Sequence, residues 1–137
     1  MTLFVDLDNL KTINDSFGHQ IGDEAIRLTG QALRASARES DIVARIGGDE
    51  FLVAGPVAGD DEVQGLADRL REAVAGSALF AGTTVVALRC SIGAACSTPA
   101  DDVDALVHKA DQALYAAKTL GRDRTAWHQG VAAGTPG

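Results

Sequence analysis

The sequence predicts a single α+β domain, in which helices pack on a central antiparallel β-sheet. Amphipathic segments with the helical period alternate with short apolar segments of the kind that form strands. Two of the short segments flank a Gly-Gly pair, which is typical of a hairpin. The 137 residues contain no internal repeat or linker and fit one domain. The resulting order, β-α-β-β-α-β-α-β, is that of a ferredoxin-like sheet with flanking helices.

The first part of the chain predicts a strand followed by a helix. Residues 2–8 alternate as a strand does and end in carboxylates. Residues 10–23 mix turn residues with a short helix. A longer helix is predicted from about residue 23 to residue 38, with Asp23 as its N-cap. Its buried face is predicted to contain Ile26, Leu33 and Ala37.

The middle of the chain predicts a hairpin. Residues 41–46 and 51–55 are apolar enough to be strands, and the four residues between them are Gly-Gly-Asp-Glu. A primed hairpin turn requires positive φ, which glycine adopts freely. We therefore expect Gly47 and Gly48 to form such a turn.

A second amphipathic helix is predicted within residues 59–76. Asp60 or Asp61 is the expected N-cap, and Gly76 is the expected stop. The spacing of its apolar residues predicts one buried stripe. The stripe consists of Val63, Leu66, Ala67, Leu70 and Val74.

The last part of the chain predicts a strand, a helix and an edge strand. Residues 83–96 are a long strand or a bent pair of strands, with Gly93 indicating a bulge. Residues 100–124 contain a helix that Gly121 should end. Residues 124–128 predict a final edge strand. The stripe of the helix is predicted to contain Val103, Leu106, Val107, Ala110, Leu114 and Ala117.

Composition and charge argue against several classes of function. The net charge of −7 does not suit a nucleic-acid-binding protein, which needs a basic face. No apolar run approaches the ~20 residues of a membrane span. Cys90 and Cys96 lack the spacing of a metal site, so reduced thiols are expected. We therefore expect a cytoplasmic domain at residues 1–128 and a disordered tail at 129–137.

Carboxylates gather at two of the predicted strand ends. Asp6 and Asp8 close the first strand, and Asp49 and Glu50 lie at the hairpin turn. If the first strand pairs beside the hairpin, Asp6 and Asp49 converge. Their oxygens would suit Mg²⁺, which takes a few hard oxygen ligands together with substrate phosphates. The alternative, that each is a solvated turn residue, stays open because aspartate is common in turns.

Four segments in the expected order resemble the GGDEF domains, the diguanylate cyclases. Residues 45–51 read RIGGDEF, and residues 6–23 read DLDNLKTINDSFGHQIGD. Residues 91–95 read SIGAA, and residues 110–124 read ADQALYAAKTLGRDR. The resemblance covers roughly residues 3–125 and is far more specific than a single glycine-rich motif.

The resemblance implies a fold, a reaction and a dimer. The fold would be similar to the palm of nucleotide polymerases and to class III nucleotidyl cyclases. Two GTP molecules would condense to cyclic di-GMP and two pyrophosphates, each 3′-hydroxyl attacking the α-phosphate of the other GTP. Because each domain holds one GTP, two copies of the domain would have to meet as a homodimer.

The resemblance also assigns roles to residues. Asp6, the carbonyl group of Leu7 and Asp49 match the ligands of Mg²⁺, with Mn²⁺ as an alternative. Glu50 matches the residue assigned to metal or catalytic support, and which of Asp49 and Glu50 takes the hydroxyl proton stays open. The positions that match substrate contacts are Asn14 and Asp23 for guanine, His19 for the nucleotide, and Lys11, Lys118, Arg122, Gly47 and Gly48 for phosphates.

A second site is implied by the R-x-x-D motif upstream of the hairpin. Arg38 and Asp41 match the product-inhibition site, and Arg69 matches a secondary arginine of that site. Arginine stacks on guanine and pairs with phosphate, which suits cyclic di-GMP as an inhibitor. The alternative is a helix-terminal arginine beside a strand-start aspartate.

The chain also departs from the family pattern. We expect it to lack the helix and the D-x-L-T-G-L-x-N-R segment that ordinarily precede the first strand, and Leu10 replaces a usual phenylalanine. A catalytically silent module that binds GTP or cyclic di-GMP is therefore the alternative to an active cyclase. A hybrid cyclase making cyclic GMP-AMP is a third hypothesis, against which Asp23 argues.

Overall fold

In the computed structural model, which describes residues 1–128, a five-stranded sheet carries four helices. A separate two-stranded sheet lies beside it. The helices are α1 (Leu10–Phe17), α2 (His19–Ser36), α3 (Asp60–Ala75) and α4 (Val103–Thr119). The strands are β1 (Thr2–Leu7), β2 (Ile42–Arg45), β3 (Glu50–Ala54), β4 (Leu79–Ala81), β5 (Thr84–Val86), β6 (Cys90–Ala95) and β7 (Thr125–Trp127).

The strand order of the main sheet is β2-β3-β1-β6-β7. The predicted α+β fold is confirmed, and the first four of these strands are antiparallel as expected. β7, the predicted edge strand, instead pairs parallel to β6. This follows from the chain path, because α4 crosses over between β6 and β7 and a crossover returns the chain in the same direction.

β1 is the centre of the molecule and is buried along its whole length. Its side chains alternate between two layers, as strand geometry requires. Leu3, Val5 and Leu7 belong to the larger core cluster, together with residues of α2 and α3. Phe4 packs on the other side of the sheet with Leu114 of α4. The sheet therefore lies between α4 on one face and the other helices on the opposite face.

Gly93 in β6 is the point of closest approach between the sheet and α4. A Cβ placed there would lie 2.1 Å from the main-chain nitrogen of Leu114 and 2.4 Å from the carbonyl oxygen of Ala110. The pairing of β6 is continuous through this residue, with Phe4 on one side and Ala126 on the other. The predicted bulge is therefore wrong, and the glycine is needed for helix packing.

Two predicted helix starts are also wrong. α2 begins at His19 after Gly18, whose φ of 92° breaks the chain direction between α1 and α2, so Asp23 lies inside the helix. α3 has Gly59 as its N-cap without a side-chain hydrogen bond. Asp60 and Asp61 instead occupy the first turn of α3, where acidic residues interact favourably with the helix dipole.

The predicted stripe of α3 is confirmed, and that of α4 is confirmed in part. All five α3 residues are buried, and α3 stops at Gly76 as expected. In α4, Ala110, Leu114 and Ala117 are buried, whereas Val103 is 77% exposed and Val107 is 37% exposed. Leu106 is half-buried and packs against the cluster that contains Phe4 and Ala95, so of the predicted stripe only Val103 and Val107 are exposed.

The segment 83–96 is divided between two sheets. β5 pairs with β4 through a turn at Gly82, whose φ is 64°, and the main sheet resumes only at β6. Cys90 and Cys96 are both free. No helix in the described part of the chain is long and apolar enough to cross a membrane. The predicted tail, residues 129–137, lies outside the described residues.

Candidate active site

The end of β1 and the tip of the β2–β3 hairpin meet at one edge of the sheet. Asp6 pairs with Glu50 across β1 and β3, and the main-chain N–H of Leu7 donates to the carbonyl oxygen of Asp49 at 3.0 Å. The structure thus brings Asp6 and Asp49 together. This agrees with the convergence expected if the first strand lies beside the hairpin.

The Asp6 carboxylate is buried between a lysine and a second aspartate. Burial raises its pKa to about 6; Lys118 opposes this through a hydrogen bond and its charge, and Asp49 adds to it. The ion pair with Lys118 uses Oδ2 of Asp6. Oδ1 is buried without a hydrogen-bond partner in residues 1–128. The site therefore has one carboxylate oxygen for which the described protein supplies no donor.

These groups fit a divalent cation of the hard type. Asp6 and Asp49 offer carboxylate oxygens at one point, and the free Oδ1 of Asp6 is available to a cation. Within residues 1–128 no group of three or more His, Cys, Asp or Glu side chains forms a metal site by itself. A cation bound here would take its remaining ligands from substrate phosphates and water, as Mg²⁺ commonly does.

The hairpin tip is held by main-chain hydrogen bonds and by Arg45. The N–H groups of Ile46 and Gly47 donate to the carbonyl oxygen of Glu50, at 3.0 and 3.4 Å. The Arg45 guanidinium group donates to the carbonyl oxygens of Gly47 and Gly48, at 3.0 and 2.9 Å. The predicted primed turn is wrong, because neither glycine has positive φ. A Cβ on Gly48 would meet nothing within 4 Å, so the tip presents bare main chain.

A cavity of about 530 Å³ opens between the hairpin tip and the first two helices. Its volume is within the range of small-molecule sites, roughly 300–1,000 Å³. The predicted site residues that line it are Lys11, Asn14, His19, Gly48 and Asp49. Leu10, Asp15, Ile26 and Arg45 also line it, and sequence reasoning did not assign them to the site.

Local features of the sequence could have indicated some of these additional cavity residues. Leu10 and Asn14 are four apart in α1, and such residues share a helix face. Arg45 is separated from the Gly-Gly pair by Ile46 alone, so it is close enough in sequence to have been identified as the side chain that holds the hairpin tip. Ile26 was predicted as a core residue, and it is half-buried and packs against the core.

Asn14 is positioned by a glycine in the neighbouring helix. A Cβ on Gly22 of α2 would lie 1.7 Å from Oδ1 of Asn14, so the amide group occupies the space that a side chain would take. Asp23, the next residue, is exposed. Asn14 therefore lines the cavity, whereas Asp23 lies on the surface of α2 beside it.

Lys118 and Arg122 lie at the end of α4 and do not line the cavity. Lys118 contacts Asp6, as described above. Arg122 is exposed, with a φ of 65°. Glu50 turns toward the hairpin tip, and a Cβ on Gly47 would be 3.4 Å from its Oε1. The structure therefore brings Lys11, Asn14, His19, Gly48 and Asp49 to the cavity and Lys118 to Asp6, whereas Asp23 and Arg122 are exposed outside both groups.

The R-x-x-D motif forms a separate, closed arrangement. Arg38 donates to both carboxylate oxygens of Asp41, at 2.7 and 3.0 Å, and to the carbonyl oxygen of Pro56 at 2.8 Å. Burial acts to raise the pKa of Asp41, but the hydrogen bonds from Arg38 outweigh it and hold the pKa below its ordinary value. Arg38 also forms an ion pair with Glu62 of α3. Arg69 is exposed on the same helix, two turns further on.

Comparison with known proteins identifies the family. The model of a family described as "Diguanylate cyclase, GGDEF domain" matches residues 1–124. Diguanylate cyclase DosC of Escherichia coli is 42% identical over 123 residues, which are 89% of this chain and 27% of DosC. Diguanylate cyclase DgcP of Pseudomonas aeruginosa is 38% identical over 120 residues, 88% of this chain and 18% of DgcP. The chain thus spans about a quarter or less of the length of these curated relatives.

Solved structures give the same result. The GGDEF domain of DgcB from Caulobacter crescentus, solved in complex with c-di-GMP, has a TM-score of 0.87 and 30% identity, covering 94% of this chain and 77% of that chain. The family model covers nearly all of the residues that the structure describes. The chain therefore belongs to the diguanylate cyclase family of GGDEF domains.

Proposed function

We propose that this domain condenses two molecules of GTP into cyclic di-GMP and two pyrophosphates. The observation that carries the proposal is the meeting of Asp6 and Asp49 at the rim of the 530 Å³ cavity. One buried oxygen of Asp6 has no partner in residues 1–128 there. Two carboxylates beside a nucleotide-sized cavity suit phosphoryl transfer, in which positioning and charge neutralisation do most of the work.

The cavity supports a binding mode for GTP. The Asn14 amide offers a donor and an acceptor to the guanine edge, and His19 lines the same cavity. Asp23 would complete guanine recognition from the adjoining surface of α2. Phosphates would lie toward Lys11 and the bare main chain at Gly48, where no side chain blocks their approach.

The residues around Asp6 support the chemistry. Asp6 and Asp49, with the Leu7 carbonyl group, would hold Mg²⁺ or Mn²⁺, which when bound offsets phosphate charge and lowers the pKa of a coordinated hydroxyl. Lys118 and Arg122 would hold the phosphates. In each of two equivalent steps an O3′–Pα bond forms, the bond from Pα to the bridging β-phosphate oxygen breaks, and pyrophosphate leaves. The hydroxyl proton passes to Asp49 or Glu50, the two carboxylates of the hairpin tip.

In the proposal each domain binds one GTP, so the reaction requires two copies of the domain facing one another. The proposal therefore includes a homodimer as the catalytic form. GTP as substrate also agrees with the predicted cytoplasmic location.

Product inhibition is the regulatory part of the proposal. Arg38 and Asp41 would bind cyclic di-GMP, with Arg69 as a further cation. The pairing of Arg38 with Asp41 supports this, because it fixes the plane of the guanidinium group, and a fixed plane favours stacking on guanine. The same observation favours a second candidate function, a catalytically silent module that binds cyclic di-GMP or GTP.

The test is product formation by the folded chain at several protein concentrations, with GTP and Mg²⁺ and with chromatography of the nucleotides. We expect cyclic di-GMP and a rate per molecule that rises with protein concentration. Asp49→Asn should abolish the formation of cyclic di-GMP, whereas Asp111→Asn, a substitution at an exposed position of α4, should leave it unchanged. Folded protein that makes no product at any concentration but binds nucleotide in calorimetry would support the silent module. A mixed ATP and GTP assay tests the hybrid cyclase.

A further inference from the structure

Asp8 is a buried carboxylate to which the proposed chemistry assigns no role. It follows β1 directly and is 4% exposed. It comes two residues after Asp6, in the turn that follows the strand. Its Oδ1 accepts a hydrogen bond from the Ser91 hydroxyl at 2.7 Å, and its Oδ2 accepts one from the main-chain N–H of Asp123 at 2.9 Å. A buried carboxylate requires such partners, and here one partner is a loop.

The loop that Asp8 holds has an uncommon main-chain conformation. Gly121, Arg122 and Asp123 have φ values of 121°, 65° and 48°, so three consecutive residues are in the left-handed region. Residues other than glycine stay there only when their surroundings fix them. The N–H of Arg122 donates to the carbonyl oxygen of Ala117 at 3.0 Å, which fixes the helix side of the loop. Asp8 fixes the other side.

Asp123 is held from further directions. Arg71 of α3 donates to its carbonyl oxygen at 2.7 Å, and Nε of Arg89 lies 3.7 Å from its carboxylate. Arg122, the residue before it, is exposed. The loop is thus fixed at Asp123, while Arg122 is exposed next to the end of α4.

We propose that Asp8 is a positioning residue for nucleotide binding. By fixing the main chain at Asp123, it holds Arg122 where the guanidinium group binds the phosphates of GTP together with Lys118, one turn earlier in α4. This inference rests on the proposed function, which assigns those two cations to phosphates. The end of β1 then aligns the whole segment, because Asp6 contacts Lys118 and Asp8 contacts the residue after Arg122.

The test is a double-mutant cycle read by calorimetry with a non-hydrolysable GTP analogue and Mg²⁺. Asp8→Ala should lower the affinity of the chain about 10-fold, and in the Arg122→Ala background it should have an effect of less than about 2-fold. Asp8→Asn keeps an acceptor oxygen for Asp123 and should restore affinity to within about 3-fold. A purely structural role of Asp8 predicts the same loss of affinity with and without Arg122. Equal losses would overturn this inference but leave the proposed function standing.

The control is Ser91→Ala, which removes the other hydrogen bond of the same carboxylate and should change affinity by less than about 2-fold. If Arg122→Ala itself leaves analogue binding unchanged, the phosphate assignment in the proposed function is wrong and the inference fails with it. If a thermal melt shows that Asp8→Ala is not folded, hydrogen exchange of the unmodified chain tests the inference instead. A protected Asp123 amide supports the inference, and exchange at the rate of an unstructured peptide overturns it.

Discussion

The ammonium group of Lys118 forms an ion pair with the buried carboxylate of Asp6, joining the last turn of α4 to the end of β1. Burial alone makes an ionised Asp6 unfavourable, and the nearby Asp49 adds to that effect. Lys118 offsets part of the cost. In the proposed function the same lysine binds phosphate, so substrate and Asp6 share one cation.

The raised pKa of Asp6 predicts that this residue makes the domain less stable as pH rises. Well below pH 3.8, the ordinary pKa of this group, its carboxyl is neutral in both the folded and the unfolded state. Above the folded-state pKa of about 6, Asp6 is ionised in the folded protein too, at the cost of a buried charge. In the unfolded chain it is already ionised at lower pH, without that cost. The cost that develops between these values is on the order of 2–3 kcal/mol.

Asp6→Asn measures this cost, because asparagine resembles the neutral acid. In urea unfolding without divalent cations, the variant should gain about 2–3 kcal/mol relative to the unmodified chain between pH 4 and pH 8. The exposed substitution Asp111→Asn should show no such pH-dependent gain. An Asp6→Asn effect that is the same at both pH values would contradict the assignment.

Gly93→Ala should destabilise the domain strongly. The added Cβ would lie 2.1 Å from a main-chain nitrogen of α4, and main chain cannot move aside as a flexible side chain can. We expect a loss of about 2–4 kcal/mol in the free energy of unfolding, as for overpacked cores. Gly48→Ala is the matched control, since its Cβ meets nothing within 4 Å and its stability should change by less than about 0.5 kcal/mol. Equal effects of the two substitutions would contradict the packing argument.

Gly22→Ala should separate stability from nucleotide affinity. Alanine favours the helix by up to about 1 kcal/mol, and the group that its Cβ meets is the end of a side chain, which can rotate. The added methyl would displace the Asn14 amide, because the new Cβ would lie only 1.7 Å from the present position of Oδ1. We expect nearly unchanged unfolding and a roughly 10-fold lower affinity for GTP, a change of about 1.4 kcal/mol. Unchanged affinity in calorimetry would show that the orientation of Asn14 is unimportant.

Glu62→Gln should strengthen the binding of cyclic di-GMP at the R-x-x-D motif. Glu62 forms an ion pair with Arg38, and its Oε2 also accepts from the N–H of Ala58 at 3.0 Å, so a ligand that uses this side of Arg38 must displace a fixed carboxylate. Removing the charge of Glu62 should raise the affinity for cyclic di-GMP about 3-fold or more, because the ligand no longer competes with the Arg38–Glu62 ion pair. The effect is modest because that ion pair is partly exposed. Asp61→Asn, one residue earlier, removes the same charge without that contact and should have little effect. Weaker binding by Glu62→Gln would mean that Glu62 belongs to the site.

The sequence predicted what depends on local pattern. Alternation and turn residues gave the hairpin, and pairing of β1 beside it brought Asp6 and Asp49 together as expected. The start of α2 was misplaced because Asp23 is the better cap by residue type, whereas the chain turns at Gly18 through its positive φ.

What the sequence did not predict depends on contacts between distant segments. Gly93 indicated a bulge by its residue type, but its purpose is set by α4, which packs on β6 from a later part of the chain. The ion pair of Lys118 with Asp6 joins residues near opposite ends of the domain. Arg45 reaches the cavity because it clamps the hairpin tip, which no helical or strand period indicates.

The hydrogen bond from the N–H of Leu7 to the carbonyl oxygen of Asp49 involves no side-chain atom. Replacing the carboxylates of Asp6 and Asp49 therefore leaves intact the hydrogen bond that joins the end of β1 to the hairpin tip. Variants at these positions therefore change the functional group without changing the main-chain contact, and even the doubly substituted chain should keep β1 in register with β3.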